Sequence, residues 1–264
     1  MSKITTARLL AMKQERQKIA MITAYDATFA KVFEQAGAHA ILIGDSLGMV
    51  LQGEASTLKV TVDEMAYHTR CVAKGCTKAL VVADLPFMSY SNSDLACTNA
   101  ATLMRAGAHM VKLEGGAWLS DTITQLTRQG VPVCGHLGLT PQSVHVFGGF
   151  KLQGRDLDQA AQIKQDAQAL EAAGIQLLVL ECVPSPLAKE ISELLSIPVI
   201  GIGAGPDTDG QVLVMQDALG LTTGYVPKFT KNFLAENDSV QAAISAYVCE
   251  VAEGRFPGPE HSFN

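Results

Sequence analysis

The stretch Ala40-Ile-Leu-Ile-Gly-Asp-Ser-Leu-Gly-Met-Val50 runs an uninterrupted apolar segment straight into an acid, a hydroxyl and two glycines. A strand that is apolar throughout, rather than alternating, belongs in a parallel sheet covered on both faces. The stretch therefore reads as a buried strand with Asp45 and Ser46 at its carboxyl end. Three later segments repeat the design: Leu80-Val-Val-Ala-Asp84, Met110-Val-Lys-Leu-Glu114 and Leu177-Leu-Val-Leu-Glu181 each end a short apolar run on a carboxylate. If these strands are neighbours in one sheet, Asp45, Asp84, Glu114 and Glu181 converge.

Working outward, the junctions between the runs repeat as well. Gln35-Ala-Gly-Ala-His39, Arg105-Ala-Gly-Ala-His109 and Ala172-Ala-Gly-Ile-Gln176 each end a helical pattern at glycine just before a strand, which is the αβ step of a βαβ unit. Eight strands are expected, at 19–23, 40–44, 79–83, 110–114, 131–135, 177–181, 199–203 and 212–219, with helical connections between most of them. The strands near 131 and 199 follow Pro132 and Pro198, since a missing N–H is tolerated at a strand start. The last strand is the least marked, because 210–219 also reads as a helix followed by a shorter strand. An amphipathic helix over 5–17, capped by Thr5 or Thr6, is expected to plug one end of the molecule, and 232–254 reads as one long helix. The natural closure is a (β/α)8 barrel, with a doubly wound open sheet as the alternative. In a barrel, every acid named above falls at the end where active sites form.

Length and composition agree with this. A chain of 264 residues suits one such barrel, and 48% hydrophobic against 17% charged residues supports a sizeable core. A net charge of -6 without a basic cluster argues against nucleic acid as a partner and favours small molecules. The six cysteines are scattered, without zinc spacing, and read as reduced core thiols. The amino-terminal residues lack the apolar core of a signal peptide and no apolar run is long enough to span a bilayer, so the expected location is the cytoplasm, away from membranes.

Hard divalent cations prefer carboxylate oxygens, and Mg²⁺ takes one or two from protein while keeping places for water and substrate. Asp45, Asp84 and Glu114 fit that role; one such acid alone would read as a helix cap, several on consecutive strand ends read as a site. Lys112 shares a strand face with Glu114 and, pointing inward, needs either a carboxylate or an anionic ligand. Glu181, between Leu180 and Cys182, stands in the most apolar surroundings of the four acids, where desolvation would suit it to general-base work unless a lysine pairs with it. His136, also near a strand end, reads as a hydrogen-bonded scaffold residue. Gly115-Gly116 either lets backbone approach a ligand or makes a tight turn, and Gly201-Ile-Gly-Ala-Gly205 either binds phosphate or serves close packing.

Taken together, Gly44-Asp-Ser-Leu-Gly-Met49, Asp63-Glu-Met-Ala-Tyr-His-Thr69, Ala83-Asp-Leu-Pro-Phe-Met-Ser89, Val111-Lys-Leu-Glu-Gly-Gly116, Gly135-His-Leu-Gly-Leu-Thr-Pro-Gln142, Leu178-Val-Leu-Glu181, Gly201-Ile-Gly-Ala-Gly205 and Glu260-His-Ser-Phe263 resemble the ketopantoate hydroxymethyltransferases over nearly the whole chain. Lys59 stands where that family usually has proline and Phe150 where tyrosine is common; neither touches the expected chemistry. The resemblance implies a (β/α)8 barrel of the phosphoenolpyruvate mutase and isocitrate lyase type over residues 1–264. It also implies the first step towards pantothenate: hydroxymethyl transfer from 5,10-methylenetetrahydrofolate to 3-methyl-2-oxobutanoate through a Mg²⁺-stabilised enolate. By the same resemblance Asp45, Asp84 and Glu114 hold Mg²⁺, Asp45, Ser46, Asp84 and Lys112 contact the keto acid, Glu181 accepts the proton, and the chain assembles as a homodecamer of two pentameric rings. The rivals are a carbon–carbon lyase of the same superfamily and a non-catalytic small-molecule-binding barrel. The chain has no KKCGH motif of the kind isocitrate lyases use, and a binding protein needs no general base.

Overall fold

Eight short parallel strands pair in chain order and close on themselves, β1 against β8. They are β1 Ile19–Thr23, β2 Ala40–Ile43, β3 Leu80–Asp84, β4 Met110–Glu114, β5 Val133–Gly138, β6 Leu177–Glu181, β7 Val199–Ile202 and β8 Gly210–Leu213. The computed structural model describes residues 3–264, so Met1 and Ser2 of the expected 1–264 unit lie outside the described residues. The helices that position the strands are α1 Thr6–Gln14, α2 Ala27–Gln35, α3 Val62–Gly75, α4 Ser93–Ala106, α5 Ser120–Arg128, α6 Leu157–Ala173, α7 Ser185–Leu194 and α8 Val240–Ala252. Among the described residues no helix is long and apolar enough to cross a membrane.

The barrel has two apolar layers. Outward residues such as Ile41, Val81, Val111, Leu178 and Leu180 pack with the helices in one large cluster. Inward residues form a second cluster with Ile4, Leu9 and Met12 of the amino-terminal segment. Helix α1 thus plugs the end of the barrel where the strands begin, as its apolar face foretold. It is shorter than expected: Thr5 caps it, accepting from Arg8 N, and the chain leaves helical geometry at Arg16, whose φ is 55°.

The repeated junctions each perform a definite task. His39 Nδ1 accepts from Ala20 N at 3.1 Å, His109 Nδ1 from Val81 N at 3.0 Å, and Gln176 Oε1 from Val133 N at 2.8 Å. In each repeat the residue before an even-numbered strand thus accepts an N–H near the start of the odd-numbered strand before it. Two of the repeats carry a second device, a glutamate three residues before the helix-ending glycine. Glu34 accepts from the backbone of Thr77, Lys78 and Ala79, and Glu171 from that of Ser196 and Ile197. Each glutamate fixes the approach to the next odd-numbered strand.

Three element assignments need correction. Strand β5 begins after Pro132 as expected but runs on to Gly138, which places His136 within the sheet, paired with Glu114 and Val179. Strand β8 is Gly210–Leu213, followed by a helical turn at Met215–Ala218, the reverse of a helix preceding a strand. Gly210 is the reason: a side chain there would collide with the Ile19 carbonyl, so only glycine lets β8 close against β1. The expected single helix over 232–254 is two pieces, a 3₁₀ turn at Phe233–Glu236 and α8. Ser239 starts α8 afresh by accepting from Ala242 N.

Candidate active site

Alternate residues of each strand face the barrel interior, so the polarity of each inward row shows where the core stops and the site begins. The inward rows read Leu80, Val82, Asp84; Met110, Lys112, Glu114; Cys134, His136; and Leu177, Val179, Glu181. Apolar side chains fill the lower layers and ionisable ones the top layer, at the carboxyl ends. Asp45 joins them just after β2.

The top layer is a connected network. Lys112 Nζ lies 3.0 Å from Asp84 Oδ1 and 3.5 Å from Glu114 Oε1, as an ion pair rather than an aligned hydrogen bond in the case of Asp84. His136 Nδ1 is 3.2 Å from Glu114 Oε1, and its Nε2 is 3.3 Å from Glu181 Oε2. Asp84 Oδ2 accepts from Asp45 N at 3.0 Å, which ties the end of β3 to that of β2. Ser46 Oγ is 3.0 Å from the hydroxyl of Tyr25, which burial pushes up to about 12. The structure therefore brings all six expected site residues, Asp45, Ser46, Asp84, Lys112, Glu114 and Glu181, to one end of the barrel. The sequence reading left out Tyr25, Tyr90 and Gln142, which hold those residues from behind, and gave His136 a scaffold role only. Gln142 did close one of the sequence motifs, but nothing in its position along the chain showed what it would touch.

One expectation about this layer fails. Glu181 is the most accessible of its carboxylates rather than the most secluded, with its side chain 14% exposed against 2–3% for Glu114 and Asp84. It leans towards the mouth of the barrel, and its partner is His136 rather than a lysine. Both glycine motifs are closely packed: Gly115 and Gly116 leave room for Trp118 and Asp166, and Gly201, Gly203 and Gly205 for Thr208, Phe229 and Ser185.

Burial and close neighbours shift the ionisable groups of this layer. Burial, then Asp84 and Glu114, hold the Asp45 carboxyl well above the usual carboxylate range, and burial also raises Asp84. Burial works against ionisation of Glu114, but His136 and Lys112 outweigh it and bring the group to about 2. Burial and Lys112 oppose a charge on His136, yet Glu114 and Glu181 raise it to about 9. Burial likewise opposes the charge on Lys112, and its three acidic neighbours overcome it. Four carboxyl groups face two cationic groups, so acids outnumber their cationic partners, and Asp45, which holds its proton hardest, shows it most. A divalent cation would favour the ionised form of those acids, and hard oxygen donors suit one such as Mg²⁺. Among the described residues no three His, Cys, Asp or Glu side chains gather closely enough to surround an ion unaided.

Known proteins resemble this chain in sequence and in fold. The family model described as ketopantoate hydroxymethyltransferase matches residues 3–259. The chain is 70% identical over 264 residues to the 3-methyl-2-oxobutanoate hydroxymethyltransferase of Aeromonas hydrophila, covering 100% of both chains. It is 64% identical over 263 residues to that of Colwellia psychrerythraea, again covering 100% of both. Among solved structures it resembles phosphonopyruvate hydrolase at a TM-score of 0.64 and 14% identity, over 84% of each chain. It also resembles 2,3-dimethylmalate lyase, a member of the PEP mutase/isocitrate lyase superfamily, at 0.55 and 15%, over 79% of this chain and 80% of that one. At those identities the likeness concerns the fold.

Proposed function

The chain belongs to the ketopantoate hydroxymethyltransferase family, and from that premise we propose how its barrel mouth performs the reaction and with which cation. The enzyme is a hydroxymethyltransferase that makes ketopantoate from 3-methyl-2-oxobutanoate, the first step of pantothenate biosynthesis. The proposal adds 5,10-methylenetetrahydrofolate as the one-carbon donor, Mg²⁺ held by Asp45, Asp84 and Glu114, and contacts to the keto acid from Asp45, Ser46, Asp84 and Lys112. The observation that carries it is the buried layer of Asp45, Asp84 and Glu114 around Lys112, three acids gathered about one ammonium.

When bound, the cation supplies Lewis acidity that eases loss of the C3 proton of the keto acid. The protein's own groups do the rest. Lys112 offers its ammonium to the anionic oxo acid, a contact strengthened by burial. Ser46 offers a hydroxyl whose oxygen is held in place by the Tyr25 hydroxyl behind it. Glu181 is accessible enough at the mouth to meet C3, and it takes the proton as the C3–H bond breaks. His136 holds the Glu181 carboxylate from below. Both folate C–N bonds to the one-carbon unit break as water adds, its oxygen staying on that carbon and its two protons going to the folate nitrogens; the C3 electron pair forms the new C–C bond, and the proton held by Glu181 passes to the product hydroxyl. A cytoplasmic location and the decamer of two pentameric rings belong to the same reading; Trp118, 69% exposed, and Leu157, 88% exposed, are large apolar surfaces that an assembly would cover.

Deuterium exchange tests the proton step apart from the one-carbon step. In D₂O, enzyme with Mg²⁺ and 3-methyl-2-oxobutanoate should exchange the C3 hydrogen without any folate. Glu181→Gln should still bind the keto acid and lose that exchange, because an amide keeps the shape but is not a base. Wild-type enzyme showing neither exchange nor, with folate added, product would sink the reading. Exchange surviving in Glu181→Gln would remove only the role of Glu181.

A further inference from the structure

Gln142 follows β5 in the short 3₁₀ turn Pro141–Ser143, and it is 6% exposed. Its side-chain Nε2 donates to Asp45 Oδ2 at 2.8 Å and to the Leu85 carbonyl at 3.0 Å. Its Oε1 accepts from the Tyr90 hydroxyl, and its backbone N–H donates to Glu114 Oε2 at 3.0 Å. One neutral residue thus touches the carboxyl ends of three successive strands, β2, β3 and β4. The amide orientation follows from the Leu85 carbonyl, which only accepts: the nitrogen must be the end that faces it, and that same nitrogen faces Asp45 Oδ2. Tyr90 locks the other end, its hydroxyl facing Oε1 while also lying 3.2 Å from the Glu114 carbonyl. A lysine in this place would cancel charge in the layer. The glutamine holds the carboxylates while leaving their charge intact.

We propose that Gln142, braced by Tyr90, is a positioning residue that sets the spacing of Asp45 and Glu114 and thereby the size of the cation they accept. The inference rests on the metal reading of the preceding subsection and adds to it a residue that acts through the carboxylates. One oxygen of each acid is tied by Gln142, Asp45 Oδ2 by the side chain and Glu114 Oε2 by the backbone. Asp45 Oδ1 is left for the ion or its water. Partners behind metal-binding groups commonly change metal affinity by about 10–100-fold when removed. Because Mg²⁺ demands tighter, more regular coordination than Ca²⁺, loosened carboxylates should lose preference as well as affinity.

The test uses metal-stripped full-length enzyme. Mn²⁺ binding is read from the electron paramagnetic resonance of the free aquo ion, and Mg²⁺ and Ca²⁺ affinities by competition against it. Gln142→Met keeps the side chain's length and loses its hydrogen bonds; Tyr90→Phe keeps the ring and frees the amide. Gln142→Met should bind Mn²⁺ about 10–100-fold more weakly and move the Mg²⁺-to-Ca²⁺ affinity ratio towards Ca²⁺, with metal-free melting within a few degrees of wild type. Tyr90→Phe should shift both in the same direction by a smaller factor, and it carries the test alone if Gln142→Met does not fold. Wild-type affinity and ratio in the folded variants would overturn the inference. So would Mg²⁺ and Ca²⁺ affinities that fall in equal proportion, the mark of general damage. If wild-type enzyme takes up no Mn²⁺, the metal reading itself falls and this inference with it; if wild type binds and the variants bind equally, only this inference falls.

Discussion

Lys112 shows how a single residue can be read correctly and still be underestimated. Its inward direction and its need for a partner follow from its place two residues before Glu114 in a strand. Sequence alone left open whether that partner is a carboxylate or a substrate. The structure shows that Asp84 and Glu114 already hold it, so removing it does more than weaken binding. Lys112→Ala should weaken the keto acid more than the folate and also cost about 3–5 kcal/mol of stability, because it strands buried charge. A divalent cation should restore part of that loss, since it would take up the excess negative charge. Chemical denaturation with and without Mg²⁺ checks this; a variant as stable as wild type in chelator would contradict the ion-pair account. Gln142 and Tyr90 mark the opposite limit. Their bonds join residues as far apart as Asp45 and Gln142, and no spacing along the chain signals a glutamine that grips an acid. Glu181 was misjudged for a related reason. Its apolar sequence neighbours face the helices and the adjoining turn, while its own side chain leans towards the mouth.

At the scale of elements, the strands were legible because parallel strands buried on both faces are nearly continuous apolar runs. Their ends were less so. β5 extends through Gly135-His-Leu-Gly138, where glycine and histidine hide a strand, and β8 is set by a collision at Gly210 that only the closed barrel creates. The three repeated junctions were visible as a pattern, and the structure gives the pattern a physical cause. Gln176 does with an amide what His39 and His109 do with Nδ1, so His109→Gln should keep the bond and remain within about 0.5 kcal/mol of wild type. His109→Ala should lose roughly 1–2 kcal/mol, by leaving Val81 N unpaired. Acid should mimic the alanine variant. Burial, with Arg8 near His39 and Lys3 near His109, lowers both imidazoles below their usual value. The unfolded chain then binds protons more readily, so this contribution is complete above the unfolded value of about 6.5 and is lost as pH falls through the lowered folded values. Urea melts from pH 7 to pH 5 should therefore show wild type losing stability faster than a His39→Gln, His109→Gln double variant. Parallel losses would mean that these imidazoles do not titrate in this window.

For the whole molecule, the two ends of the barrel divide the labour. At the end where the strands begin, Ile4, Leu9 and Met12 meet Ile19, Met21 and Met110 in an apolar plug. At the other end, two to four residues further along the same inward rows, the side chains are Asp84, Lys112, Glu114, His136 and Glu181. In this architecture the first end serves stability and the second chemistry, and the division should be measurable with one substitution. Leu9 is fully buried within the plug, and Leu9→Ala should cost about 2–5 kcal/mol through lost burial and the cavity left behind. For a chain of this size that lowers the melting temperature by roughly 5–15 °C. Assayed well below that temperature, the variant should keep kcat and the KM for 3-methyl-2-oxobutanoate within about twofold of wild type, because the apolar layers separate Leu9 from the charged one. Calorimetry and steady-state kinetics on the same preparation make the comparison. If KM or kcat falls in step with stability while the enzyme remains folded, the plug and the site are coupled through the barrel, and the division between a stabilising end and a reacting end does not hold.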